Sequence, residues 1–347
     1  MINSISNTVL LKSVVSKRFF SSSAKMSSQA KPRHLVSMLE LSIKELESLV
    51  NRAAYHKQQI RSGLVNTTQP LSGKTVSLIF NKRSTRTRVS SEGAAAYLGG
   101  CPMFLGKDDI QLGVNESLHD TTKIISSMTS SIFARVNKHS DIQEMCKYSS
   151  VPIINALCNT FHPLQAITDI LTIKESFGNT TKGLKLAWIG DVNNVINDLC
   201  IAALKSGIDV SIAVPSGLKF EELILSGAKE ISAENGTTLK ITNDPLEAIN
   251  GANVIVTDTW ISMGQEDERL QKLKQFEGFQ ITKEMISKGK AAENWKFMHC
   301  LPRHPEEVHD EVFYDEERSL VFEEGENRLY AAIAVLEGFV VNKGKLL

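Results

Sequence analysis

Apolar and polar positions alternate between two periods along most of this chain. Ser42-Ile43-Lys44-Glu45 has the spacing of a helix capping box, and Ile43, Leu46, Leu49, Val50 and Ala53 follow on one helical face. Short β-branched and apolar runs then recur between helical stretches. Strands are expected at Thr75–Phe80, Met103–Leu105, Ser131–Arg135 and Val151–Asn155. Helices are expected up to Tyr97, over Glu116–Met128, and from Pro163, well suited to a first helical position, to about Ser176. A turn-rich stretch, Gly178-Asn179-Thr180-Thr181-Lys182-Gly183, interrupts the pattern, and the alternation then restarts. It predicts strands at Leu186–Ile189, Asp209–Val214, Val254–Thr257 and Phe297–Cys300, helices at Val195–Ser206 and Glu221–Glu234, and a last helix from about Glu326. Strands alternating with helices on both sides of a linker define an α/β fold of two domains, each a parallel sheet flanked by helices. The expected divisions are a leader over 1–33, domains over 34–177 and 178–325, and a C-terminal helix over 326–347.

Composition narrows the class. With 42% apolar and 22% charged residues the chain is an ordinary globular one, and no apolar run is long enough to span a bilayer. Formal charge is zero but unevenly spread. Lys12, Lys17, Arg18, Lys25, Lys31 and Arg33 all precede the first acid, Glu40, so six cations at the start are balanced by six net negative charges over the rest. A basic, Ser-rich, acid-free leader predicts a mitochondrial transit peptide and a mature protein in the mitochondrial matrix; Met26 offers an internal start. A mildly acidic body argues against a nucleic-acid partner. The five cysteines form no CxxC pair, so neither a zinc site nor a redox dithiol is expected.

The chemistry is expected where strands end. After Thr75–Phe80 comes Asn81-Lys82-Arg83-Ser84-Thr85-Arg86-Thr87-Arg88, with four cations and three hydroxyls before a helix. Helix N-termini attract anions, hydroxyls there add donors, and guanidinium groups bind phosphate oxygens in pairs. The segment is a phosphate cradle of a kind different from a Gly-rich loop.

Ser84-Thr85-Arg86-Thr87-Arg88 resembles the carbamoyl-phosphate loop of the aspartate and ornithine carbamoyltransferases. Further matches follow in family order: Asp109-Ile110-Gln111-Leu112-Gly113 with Asn115-Glu116-Ser117, Arg135, His162-Pro163-Leu164-Gln165, and Gly190-Asp191-Val192-Asn193-Asn194. Asp258-Thr259-Trp260-Ile261-Ser262-Met263-Gly264, His299-Cys300-Leu301-Pro302-Arg303 and Glu326-Asn327-Arg328 complete the series, so the resemblance covers nearly all of the chain after the leader. It implies transfer of a carbamoyl group from carbamoyl phosphate to L-ornithine, giving citrulline, without a cofactor, in arginine biosynthesis or a urea-cycle step.

The resemblance also implies roles. Ser84, Thr85, Arg86 and Thr87 bind phosphate, and Arg135 adds charge near the phosphate or carbonyl oxygen. His162 donates to the carbonyl oxygen, Gln165 holds the carbamoyl amide, and Arg328, at the start of the last helix, reaches back to the first domain. Gln111 reaches a neighbouring subunit's donor, implying a homotrimer with shared active sites. On the acceptor side, Asp258 pairs with an ammonium, Asn194 with the amino-acid head, and Ser262 and Met263 lie on a closing loop. Cys300 is a polar neighbour that favours the uncharged amine, rather than a covalent nucleophile, and Leu301 offers its carbonyl. One departure is Asn81, where the family usually has Glu. Competing readings are transfer to putrescine or a modified ornithine, and a non-catalytic homologue. A dinucleotide-dependent dehydrogenase is disfavoured because Gly190-Asp191-Val192-Asn193-Asn194 lacks the later glycines of a dinucleotide loop.

Overall fold

The computed structural model describes residues 31–64, 66–261 and 269–347. The first half runs α1 (Ile43–Arg61), β1 (Thr75–Phe80), α2 (Arg86–Tyr97), β2 (Cys101–Gly106), α3 (Leu118–Met128), β3 (Ser131–Arg135), α4 (His139–Tyr148), β4 (Ile153–Leu157) and α5 (Pro163–Ser176). The second runs β5 (Lys185–Ile189), α6 (Asn194–Lys205), β6 (Asp209–Ala213), α7 (Glu222–Asn235), β7 (Leu239–Thr242), α8 (Pro245–Ile249), β8 (Val254–Thr257), α9 (Arg269–Gln275), α10 (Lys283–Lys288), β9 (Lys296–His299), α11 (Asp310–Phe313) and α12 (Val321–Leu336).

Two parallel sheets result, ordered β2-β1-β3-β4 and β7-β6-β5-β8-β9. Their strands are almost wholly buried, as parallel strands covered on both faces must be. In each sheet the order reverses beside its first strand, between β1 and β3 and between β5 and β8. Crevices form at such reversals, outside the carboxyl ends of the strands. At the first, Asn81 N–H donates to Arg135 O at 2.8 Å. At the second, Thr257 Oγ1 donates to Ile189 O at 2.6 Å. A Cβ on Gly190 would stand 3.2 Å from that same Thr257 oxygen, so a side chain there would crowd the reversal.

α5 and α6 pack on each other between the sheets, and both are buried on nearly every side. They join the two halves through one apolar cluster that includes Leu164, Ile167, Leu171, Ile196, Leu199 and Ala203. α12 packs against α1, α2 and α5, so the last helix returns to the first half. The exposed edge of β4 is covered by the incoming chain, with Leu35 bridged to Ile154.

Most expected elements stand within one or two residues of their predicted ends. Three findings differ. α12 begins at Val321 rather than near Glu326, because Glu323-Glu324-Gly325 reads as a polar stretch although Glu324 is buried, so Arg328 lies in the second turn and not at the start. α3 starts at Leu118, after Ser117, whose hydroxyl accepts from Asp120 N–H at 3.1 Å. α4, β7 and the short helices α8, α9, α10 and α11 are not among the expected elements, since each carries too few buried apolar positions to show a period.

Candidate active site

The segment after β1 turns directly into α2, and Thr85 at its N-cap makes no side-chain capping bond. The first turn therefore keeps donors free for an outside anion. The four cations of the loop divide. Arg88 pairs with Glu92 at 3.0 Å and lies over the Phe104 ring, away from the cleft. Arg86 reaches across to the second half and donates to Leu301 O. Thr87 is buried, and its hydroxyl accepts from Arg328 Nη2 at 2.9 Å.

Arg135 ends β3, 6% exposed, and its Nε has no partner among the described residues. Burial and the neighbouring Arg86 lower it to about 10, so it remains charged at neutral pH. Arg328 is likewise buried and lowered to about 10, chiefly by burial, with an unpartnered Nε. None of Arg86, Arg135 and Arg328 lies within ion-pair distance of a carboxylate among the described residues. Unpaired buried cations are costly, and an anionic ligand offsets that cost.

His162 caps α5, and its backbone N–H donates to Asp198 Oδ2 at 2.8 Å. Its Nε2 stands 3.3 Å from Arg328 Nη1. A guanidinium only donates, so Nε2 accepts and the ring proton is assigned to Nδ1. That Nδ1 is buried without a partner among the described residues, a donor left for a ligand. Burial, then Arg328, hold the imidazole well below its ordinary range, hence neutral. One helical turn on, Gln165 Oε1 accepts from Arg328 Nη1.

The opposite wall is acidic. Asp258, just after β8, is buried, and burial raises its carboxyl above the usual range. Its Oδ2 accepts from Asn193 Nδ2 at 2.8 Å and its Oδ1 from the Cys300 thiol at 3.3 Å. Burial, then Asp258, push that thiol well above its ordinary value, so it stays protonated. Leu301 follows at φ 62°, a left-handed conformation that costs a branched side chain on the order of a kcal/mol. His299 holds it there: its Nδ1 accepts from Leu301 N–H at 2.9 Å, and its Nε2 is 3.3 Å from buried Glu307.

Arg86, Thr87, Arg135, His162, Gln165, Arg328, Asp258, Cys300 and Leu301 thus belong to one connected network or its immediate charge environment. Ser84 sits in the same loop. Asn194 is near it but uses its amide on Cys158 O at 2.6 Å. Gln111 stands apart on an exposed turn, accepting from Asn115 at 2.7 Å. Ser262 and Met263 lie outside the described residues. Sequence reasoning missed Asn193, Asp169, Asp198, Glu307 and Glu324. Only Asn193, a cap-forming residue after a strand, and Asp169, one turn beyond Gln165, left a local signal.

Guanidinium groups at the ends of β1 and β3 and Asp258 and Cys300 at the ends of β8 and β9, linked where Arg86 donates to Leu301 O, make an arrangement suited to a group-transfer enzyme. Residues 33–175 match the aspartate/ornithine carbamoyltransferase carbamoyl-P binding domain, and residues 182–339 match the aspartate/ornithine carbamoyltransferase Asp/Orn binding domain. The chain belongs to the aspartate/ornithine carbamoyltransferase family and is a carbamoyltransferase. It is 54% identical to the mitochondrial ornithine carbamoyltransferase of Aspergillus terreus, over 95% of this chain and 94% of that one. It is 57% identical to the ornithine carbamoyltransferase of Saccharomyces cerevisiae, over 90% and 95%. The crystal structure of a mitochondrial ornithine carbamoyltransferase from Coccidioides immitis superposes with TM-score 0.85 at 54% identity, covering 92% of this chain and all of that one.

Proposed function

We propose that this chain transfers the carbamoyl group of carbamoyl phosphate to the side-chain amine of L-ornithine, releasing citrulline and phosphate. The observation that carries the reading is the juxtaposition of three guanidinium groups without an ion pair among the described residues, Arg86, Arg135 and Arg328, with the Asp258–Cys300 pair. The donor carries a phosphate and the acceptor an ammonium, and each wall suits one of them.

In this reading residues 34–177 hold carbamoyl phosphate and 178–325 hold ornithine. Ser84, Thr85, Arg86 and Thr87 bind the phosphate, and Arg135 and Arg328 draw charge onto the carbonyl oxygen. Neutral His162 donates its Nδ1 proton to that oxygen, stabilising the tetrahedral oxyanion as it forms. Gln165 accepts from the carbamoyl NH₂. Asp258 takes the ammonium of ornithine, with Asn194, Ser262 and Met263 around it, and Cys300 and Leu301 border the reacting amine. A neutral thiol beside a buried carboxyl disfavours one extra negative charge but leaves room for an uncharged amine, the form that attacks. Gln111 completes a neighbour's site in a homotrimer, and the leader directs the chain to the mitochondrial matrix.

The test is product formation by the purified chain given carbamoyl phosphate with ornithine, putrescine or aspartate. Citrulline from ornithine alone supports the reading. Product from putrescine or aspartate refutes the role of Asp258, and no product from any acceptor refutes the reading as a whole. Sedimentation at equilibrium tests the trimer: a monomer refutes the role of Gln111.

A further inference from the structure

Two carboxyl groups that the transfer reaction does not call for are buried directly behind Gln165. Asp169 lies on the same face of α5 and Glu324 in the first turn of α12, both essentially inaccessible. Gln165 Nε2 donates to Asp169 Oδ1 at 2.7 Å and to Glu324 Oε1 at 2.8 Å. The second oxygen of Glu324 accepts from His299 N–H, at the end of β9, at 2.9 Å. Glu324 therefore spans from the donor-side amide to the strand that presents Cys300 and Leu301. Burial, followed by the charge of Asp169, raises the Glu324 carboxyl well above its ordinary range.

An amide can sit in either of two orientations, and its surroundings choose. Both hydrogens of Gln165 are taken by the acid pair, and its oxygen faces the guanidinium of Arg328. Turning the amide over would set an NH₂ against a cation and an oxygen against carboxyl oxygens. Gln165 can thus offer a ligand only an acceptor. Leaving a polar group unmatched in a buried site discriminates far more strongly than a missing methylene does.

We propose that Glu324 is a positioning residue: it fixes the amide of Gln165 with its oxygen toward Arg328 and the cleft, and so makes the site select a donor whose acyl carbon carries NH₂ over one carrying CH₃. The proposal rests on the reading of this cleft as a carbamoyl-phosphate site. Two N–H donors, from Gln165 and His299, need the two oxygens of Glu324. In Glu324→Gln a single oxygen remains for the two donors; with it kept by His299, Gln165 is left with Asp169 alone and faces the new NH₂.

The experiment compares two non-reacting phosphonates of equal charge, phosphonoacetamide and 2-oxopropylphosphonate, by calorimetric titration of the full chain. Wild type is expected to prefer the amide by about tenfold or more. Glu324→Gln is expected to lose at least about fivefold of that preference, with methyl-ketone affinity held within about twofold. Glu324→Met is expected to show the same loss of preference at a lower melting temperature. An unchanged ratio in variants that bind both phosphonates overturns the proposal alone, as does an equal weakening of both, which marks a merely structural role. If wild type binds neither phosphonate, the carbamoyl-phosphate reading falls and the proposal with it.

Discussion

The two walls of the cleft are made of opposite materials and assembled in opposite ways. The cationic wall is largely local: Ser84 to Thr87 are contiguous, set by one strand end and one helix start, with Arg135 on the adjoining strand. The acidic wall is gathered from afar, with Asp258 after β8, Cys300 after β9, Asn193 before α6, and the Asp169–Glu324 pair behind it from α5 and α12. Each wall concentrates charge or carboxyl groups of one kind, hydrogen-bonded but with no oppositely charged side chain in ion-pair distance of Arg86, Arg135, Arg328 or Asp258 among the described residues. Such crowding is unfavourable in isolation and becomes favourable only when a ligand of opposite character arrives. The comparison teaches that one wall is set by neighbours in sequence and the other by the tertiary fold, each with like charges brought together.

Removing a charge from either wall should break this arrangement, most severely on the cationic side. Arg135→Gln is expected to lower kcat/KM for carbamoyl phosphate by about a thousandfold, the scale for losing a preorganised group aimed at developing charge. Steady-state kinetics in both substrates checks this, and a loss below about tenfold would remove Arg135 from the reacting centre. Asp258→Asn should act on the other wall, lowering kcat/KM for ornithine about a hundredfold while leaving binding of a donor phosphonate intact. Equal loss toward both ligands would erase the division between the walls. Cys300→Ser should retain activity within about tenfold, since a thiol pushed up by burial and by Asp258 is no nucleophile. A fall of several orders of magnitude, or a trapped thiocarbamate in mass spectrometry, would assign it covalent chemistry instead.

A charged cluster outside the cleft sharpens the contrast, because there opposite charges do meet. Glu337 joins Arg52 at 2.6 Å and His56 at 3.0 Å, tying the C-terminal end to α1. Burial opposes ionisation of Glu337, but hydrogen bonds from His56 and Arg52 outweigh it and hold the carboxyl at about 2, against an ordinary 4.5. A lowered carboxyl contributes stability above its unfolded value and loses it as pH falls through the folded one. Stability should therefore decline between about pH 4.5 and 2, by about 1–2 kcal/mol after allowance for the exposure of Arg52. Denaturant unfolding across that range should show a shallower decline in Glu337→Gln. Identical pH profiles would mean that the cluster contributes nothing.

The same contrast explains what was legible in the sequence. Strand and helix periods revealed both sheets, Pro163 marked the start of α5, and the contiguous loop showed its cations and hydroxyls between a strand end and a helix start. Glu324 could not be seen: a glutamate in a polar helix start looks solvated, and only the docking of α12 beside β9 and α5 buries it. Asp198 was hidden similarly, as a polar residue on an otherwise apolar helix whose oxygens meet Met38 N–H and His162 N–H at 2.7 and 2.8 Å. The left-handed Leu301 has no local signature either, since its conformation is imposed by His299 and Glu307.

The return of α12 to the first half has a consequence for biogenesis. Tyr330, Ala331, Ala334 and Val335 share one core with Leu46, Leu49 and Val50, so residues made early wait for residues made last. A chain emerging from the ribosome cannot close its first half until nearly all of it has been synthesised. The leading lobe therefore stays incomplete while most of the chain is made. Arg328, carried on that same helix, then meets Thr87, His162 and Gln165 only as the last segment locks, so an interrupted chain leaves those three without it.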